Sequence, residues 1–147
     1  MHVNGDWFVC EDGVIRPIVI GLVKIGAGQL IEVTFLLDAG ADRTVFSSGF
    51  LSELAPLKSS EAEQIYLAGV GGRVSSITVN TTIGFTKDDG NVVTVRGSFA
   101  VFTESDAAEL SVLGRDVTNN FSVIYDYPNQ IVALLAAPHY YEIKKAS

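Results

Sequence analysis

Apolar and polar residues alternate over short stretches of this chain, and glycine or turn-forming residues interrupt them at short intervals. Alternation with a period of two predicts half-buried strands, and Val, Ile, Thr and Phe are the side chains that suit a pleated surface. The first such strand is expected over Arg16 to Ile25, with Pro17 tolerable near its start. Gly26-Ala27-Gly28 turns the chain into a second strand, Gln29 to Leu37, and Thr44 to Ser47 reads as a short return strand. Ser48 to Leu54 suits one or two helical turns, stopped before Pro56. Extended segments follow at Gln64 to Leu67 and Arg73 to Phe85, joined by Ala68-Gly69-Val70-Gly71-Gly72. Within the second, Ile77, Val79, Thr81, Ile83 and Phe85 share one face.

The turn Asp88-Asp89-Gly90-Asn91 leads into a strand from Val92 to Phe102, with Val93, Val95, Phe99 and Val101 on one face. Ser105 to Glu109 is a polar loop, Ser111 to Gly114 a short apolar strand, and Arg115 to Asn120 a brief helix. Phe121 to Asp126 and Gln130 to Leu135 form a last hairpin around Tyr127-Pro128-Asn129. No repeat, heptad or low-complexity linker breaks the chain. The elements predict one mainly β, barrel-like domain over 16–136, between an N-terminal extension, 1–15, and a C-terminal tail, 137–147.

Composition narrows what such a domain could do. Apolar residues are 48% and charged residues 18% of 147, which fits a packed core and excludes a disordered chain. A formal charge of −7 disfavours nonspecific binding to nucleic acid or anionic membrane. The one cysteine, Cys10, excludes an intrachain disulfide and a cysteine-based zinc site. His2 and His139 stand in the terminal segments with no second ligand at useful spacing, so no metal is expected. Met1 to Glu11 lacks a basic start followed by an apolar run, and no apolar stretch is long enough to span a bilayer, so a soluble, cytoplasmic protein is expected.

Candidate chemistry gathers at Val33 to Ser47, where a hydrophobic strand carries Asp38 into the turn Ala39-Gly40-Ala41-Asp42. A carboxylate at the end of an apolar strand is costly to ionise and calls for a partner or a task. Asp38 could be a turn aspartate bonded to its own loop, or a reactive group. Gly69, Gly71 and Gly72 form no phosphate loop, because no Gly-Lys-Ser/Thr and no helix follow. Gly26-x-Gly28 lacks a dinucleotide-binding setting, and Asp88-Asp89 lacks the spaced acids of a calcium loop.

Three separated features together make the pattern more specific: Leu-Leu-Asp-Ala-Gly-Ala-Asp at Leu36 to Asp42, the glycine hairpin at Gly69 to Gly72, and Val-Leu-Gly-Arg-Asp at Val112 to Asp116. In this order they resemble the retropepsin-like aspartic proteases, single-motif peptidases that work as homodimers. The resemblance spans about Arg16 to Leu135. It implies an all-β, closed or partly closed barrel with one short helix after Gly-Arg-Asp, no cofactor, and polypeptide as substrate. It further implies that Asp38 from each of two chains forms the catalytic dyad.

By the same resemblance, Gly40 lets the turn close and offers N–H groups to the carboxylate, and Ala41 keeps the turn small. Leu113 and Gly114 pack beside the loop, and Arg115 reaches Asp42; the plainer alternative for that pair is two unrelated surface charges. Asp116 reads as a solvated or helix-start carboxylate. The hairpin from about Gln64 to Ser76, with Gly69, Val70, Gly71 and Gly72 at its tip, is the counterpart of a flap over bound substrate. Ala39 departs from the pattern, since the family usually carries Thr or Ser there, and that hydroxyl bonds across the dimer. A catalytically weak or inactive dimerisation or peptide-binding module is therefore the alternative to an active endopeptidase.

Overall fold

The computed structural model describes residues 2–59, 65–69, 72–104 and 110–145. The two central strands are β3 (Ile15–Gly26) and β4 (Gln29–Leu37), paired antiparallel with Ile18 opposite Leu36 and Lys24 opposite Leu30. Alternation explains them: Val19 and Val23 from β3, with Val33, Phe35 and Leu37 from β4, turn inward and are buried. Gly28 occupies the left-handed region at the turn, with φ +77°, where a side chain would be strained. At Gly21 a Cβ would stand 2.8 Å from Ile83 and 2.9 Å from Phe35, so the strand needs glycine to let the sheets meet.

Beyond β4 come β5 (Val45–Phe46), α1 (Leu51–Leu54), β6 (Ile65–Gly69), β7 (Gly72–Thr86) and β8 (Val92–Phe102). The chain continues through β9 (Ser111–Leu113), α2 (Arg115–Thr118), β10 (Phe121–Asp126) and β11 (Ile131–Ala136). Neighbouring strands run β3, β4, β9, β5, β8, β7, and β7 returns to β3 through Leu22 opposite Gly84 and Val23 opposite Ile83. Among the described residues these six strands close a barrel. Two of its seams are parallel, β4 with β9 and β5 with β8. Phe35, Phe46 and Phe99 pack edge to face inside it, with ring centroids 5.5 and 6.2 Å apart.

The segment expected as an N-terminal extension supplies two strands. β1 (His2–Asn4) pairs with β11 and buries Val3, and β2 (Asp6–Val9) pairs with β3. Three residues with one apolar side chain give no measurable period, so only the pairing reveals β1. The helical turns also run further than expected. Pro56 lies in a 3₁₀ turn, Ala55–Leu57, that continues directly from α1. Proline fits there because an N–H in the first positions of a new turn has no partner to lose. The polar loop Ser105 to Glu109 and residue Gln64 lie outside the described residues. No helix among the described residues is long and apolar enough to cross a membrane.

Candidate active site

Burial of β4 positions Asp38. Leu37 is locked in the core, paired in parallel with buried Leu113 of β9, and the next residue emerges half-buried at the strand end. The Asp38 N–H donates to the carbonyl of Leu113 at 3.2 Å, and the Ala41 N–H donates to the carbonyl of Asp38 at 3.1 Å. The Gly40 N–H donates to the Asp38 carboxylate at 2.9 Å. That contact is common to a turn aspartate and to a poised reactive one. A Cβ on Gly40 would stand 3.2 Å from Asp38 Oδ1, tight against the atom that any chemistry would use. Ala39 and Gly40 themselves face solvent.

The loop is tied from behind by α2. Backbone N–H groups of Arg115 and Asp116 donate to the carbonyls of Ala41 (2.9 Å) and Asp42 (3.2 Å). The Arg115 guanidinium donates to the carbonyl of Ala39 at 3.1 Å and also contacts the Asp42 carboxylate. Those two side chains are exposed, so the ion pair contributes little to stability by itself.

The stronger tie is one that sequence reasoning missed. Asp116 is exposed and stands in the first turn of α2, as expected of a solvated helix-start carboxylate, but it also accepts the N–H of Thr44 at 2.9 and 3.0 Å and its hydroxyl at 2.7 Å. The fully buried Thr44 hydroxyl in turn accepts the N–H of Gly114 at 3.0 Å. Only the position of Asp116 in the first turn of a helix hinted at a local role. Gly114 is there for space, because a Cβ would lie 2.5 to 2.8 Å from the backbone of Arg43.

Beside Asp38 runs a cleft of about 370 Å³, walled by Ala41, Val45, Phe102 and Val112 and carrying Arg43. A larger groove of about 570 Å³ lies elsewhere, between Lys24, Leu57, Thr81 and Arg96, and holds no carboxylate that could act on a substrate. The hairpin expected to cover substrate is present as β6 and β7, paired from Ile65 opposite Ser76 to Gly69 opposite Gly72. Its tip residues Val70 and Gly71 lie outside the described residues. At its root, the hydroxyls of Ser75 and Thr103 hydrogen-bond at 2.6 Å.

Aromatic residues stand near the same loop. Trp7 packs edge-on against Tyr127 at 5.0 Å and tilted against Tyr125 at 6.3 Å. Burial pushes the Tyr125 phenol above its ordinary value, and the charge of Asp38 adds to the shift. Further off, Asp12 is held at about 2 by its hydrogen bonds to the Arg16 guanidinium, at 2.9 and 2.7 Å, helped by the N–H of Val14. Among the described residues, no three His, Cys, Asp or Glu side chains converge as metal ligands would.

No protein-family model matches the chain, and a search of curated proteins finds no match. Solved structures do resemble it. A retropepsin-like aspartic protease from Rickettsia conorii superposes with a TM-score of 0.58 over 91% of this chain and 98% of its own, at 11% identity. EIAV protease in complex with the inhibitor HBY-793 gives 0.49 over 71% and 86%, at 26% identity. The retroviral protease-like domain of Ddi1 from Leishmania major gives 0.49 over 82% and 96%, at 16% identity. The near-complete coverage of the Rickettsia structure shows the architecture: this chain has the fold of the retropepsin-like aspartic proteases.

Proposed function

We propose that the protein is an aspartic endopeptidase that cleaves polypeptide in an extended conformation, with its active site completed by a second copy of the chain. The observation that carries this reading is the placement of Asp38, half-buried at the end of β4, in a glycine turn beside a cleft, within a retropepsin-like barrel. One chain supplies one such carboxylate. Peptide hydrolysis of this kind needs two, which a two-fold axis through the exposed Ala39-Gly40 turn would supply.

In that dimer two Asp38 carboxylates share one proton, because like charges at short range cannot both ionise. The ionised one takes a proton from the attacking water. The protonated one gives its proton to the carbonyl oxygen of the scissile amide. Gly40 steadies the carboxylate through its N–H, while Leu113, Gly114, Arg115 and Asp42 hold the loop. The hairpin with Gly69, Val70, Gly71 and Gly72 at its tip is assigned to cover the substrate and exclude water. No metal or organic cofactor enters this chemistry. A reducing, cytoplasmic setting suits the single Cys10.

The test is cleavage of an unfolded protein from acidic to neutral pH, by the natural chain and by Asp38→Asn. Loss of cleavage in the variant is the expected result, and turnover that survives it removes the mechanism. A second reading rests on Ala39, which has no hydroxyl to bond across the dimer: a barrel that dimerises or binds peptide with little turnover. It predicts peptide binding without cleavage.

A further inference from the structure

The cleft beside Asp38 carries a cation, Arg43, with which no described residue forms an ion pair. Arg43 is half-buried and lines the cleft together with Asp38, Asp42, Val45, Phe102 and Val112. Two acids of the surrounding loop and helix are engaged elsewhere. Asp42 is taken by Arg115, and Asp116 by the N–H and hydroxyl of Thr44.

The backbone of Arg43 is also fixed from both sides. Gly114 presses against it with no room for a Cβ, and the following residue is held by Asp116 and by the N–H of Ala100, 3.2 Å from the Thr44 carbonyl. What stays available is the side chain alone. It is a planar donor anchored at a defined place in a cleft whose other walls are apolar apart from the carboxylates of Asp38 and of Asp42, the latter already held by Arg115.

We infer that Arg43 selects substrates, favouring polypeptides that place a Glu or Asp side chain in this cleft next to the residues held over Asp38. The inference rests on the proposed peptidase reading and deepens it by naming a substrate class. A carboxylate arriving there meets a guanidinium already partly stripped of water, which makes a charge-assisted hydrogen bond stronger than a neutral one. A lysine at the same place meets like charge. The chain as a whole is acidic, with a formal charge of −7, so the preference is local and opposes the general field.

Binding is measured on Asp38→Asn protein so that peptides stay intact. Fluorescent peptides are used that share an apolar core and differ at one position, Glu, Gln or Lys, moved in turn along the peptide. Fluorescence anisotropy is expected to rank Glu above Gln above Lys at one position, with Glu favoured over Gln by about fivefold, and to show the contrast shrinking as salt rises. Adding Arg43→Gln should abolish the contrast, and adding Arg43→Glu should invert it.

Equal affinity for Glu and Gln at every position overturns the inference. So does a preference that persists in Arg43→Gln, an effect of Arg43→Gln on dimer affinity alone, or an absence of peptide binding. Cleavage by the natural chain without charge preference removes only the role of Arg43. Charge-selective binding with no cleavage keeps that role and removes the peptidase reading.

Discussion

The carboxylate of Asp116 takes both the backbone N–H and the hydroxyl of Thr44, and so fastens the helix after Gly114 to the chain leaving the Asp38 turn. Thr44 is fully buried, so neither of its donors has water to turn to if the carboxylate is removed. Asp42 and Arg115 join the same two segments from the solvent side. One tie ends on a fully buried threonine and satisfies both of its donors, the other is exposed at both ends, and their energetic weights differ accordingly.

Asp116→Ala is therefore expected to destabilise the fold by about 3 kcal/mol, a drop of roughly 10 °C in Tm for a chain of this size. Asp116→Asn retains one acceptor oxygen and should lose about half as much. Asp42→Ala removes only the exposed pair and should stay within about 1 kcal/mol. Thermal melts of the three variants decide it, and an Asp42→Ala loss equal to that of Asp116→Ala would reverse the assignment.

Gly114→Ala meets backbone, not a flexible side chain, since the added Cβ would lie 2.5 to 2.8 Å from Arg43 C, O and N. Overpacking of this kind costs about 3 kcal/mol or more. Gly26→Ala is the control, because the nearest atom to its Cβ would be Gln29 Oε1 at 3.8 Å. Soluble yield and Tm should fall for Gly114→Ala and stay near the natural values for Gly26→Ala.

Ala39→Thr places a hydroxyl on the exposed turn that the proposed dimer brings together. At about 1 kcal/mol per hydrogen bond, two symmetric bonds should lower the dimer Kd by roughly thirtyfold. Sedimentation velocity over a dilution series reads this directly. An unchanged Kd means that the turn does not lie on the two-fold axis.

Tyr125 offers a pH test of the same neighbourhood. Its phenol is raised above the ordinary 10.0, chiefly by burial and secondarily by the charge of Asp38. A folded-state value above the unfolded one contributes stability that is present below about pH 10 and lost as pH rises through the folded value. Tyr125→Phe should therefore flatten the loss of stability in alkali. Asp38→Asn should lower the phenol titration, followed by ultraviolet absorbance, while leaving the larger effect of burial in place. A titration indifferent to Asp38 would separate the two residues.

Much of this architecture is legible along the chain. Val33, Phe35 and Leu37 alternate with polar or half-exposed neighbours, so β4 and the point where Asp38 leaves it follow from a period of two. β8 matches its expected bounds for the same reason, and Gly90, at φ +86°, ends the preceding turn where glycine is required. β1 stayed hidden because its one inward residue, Val3, is recognisable only through its pairing with β11. Pro56 marked a boundary that a second helical turn crosses by starting anew.

The Asp38 turn, its glycine and the Gly-Arg-Asp element could be found from residue types and order, because local strand and turn chemistry is written in neighbouring residues. The return of β7 onto β3, the grip of Asp116 on Thr44 and the placing of Arg43 in one cleft with Asp38 appear only in three dimensions. Each depends on segments far apart in the chain meeting at contact distance. Gly114 shows the difference most simply: its sequence position marks a turn before a helix, and only the nearness of the Arg43 backbone says why nothing larger can stand there.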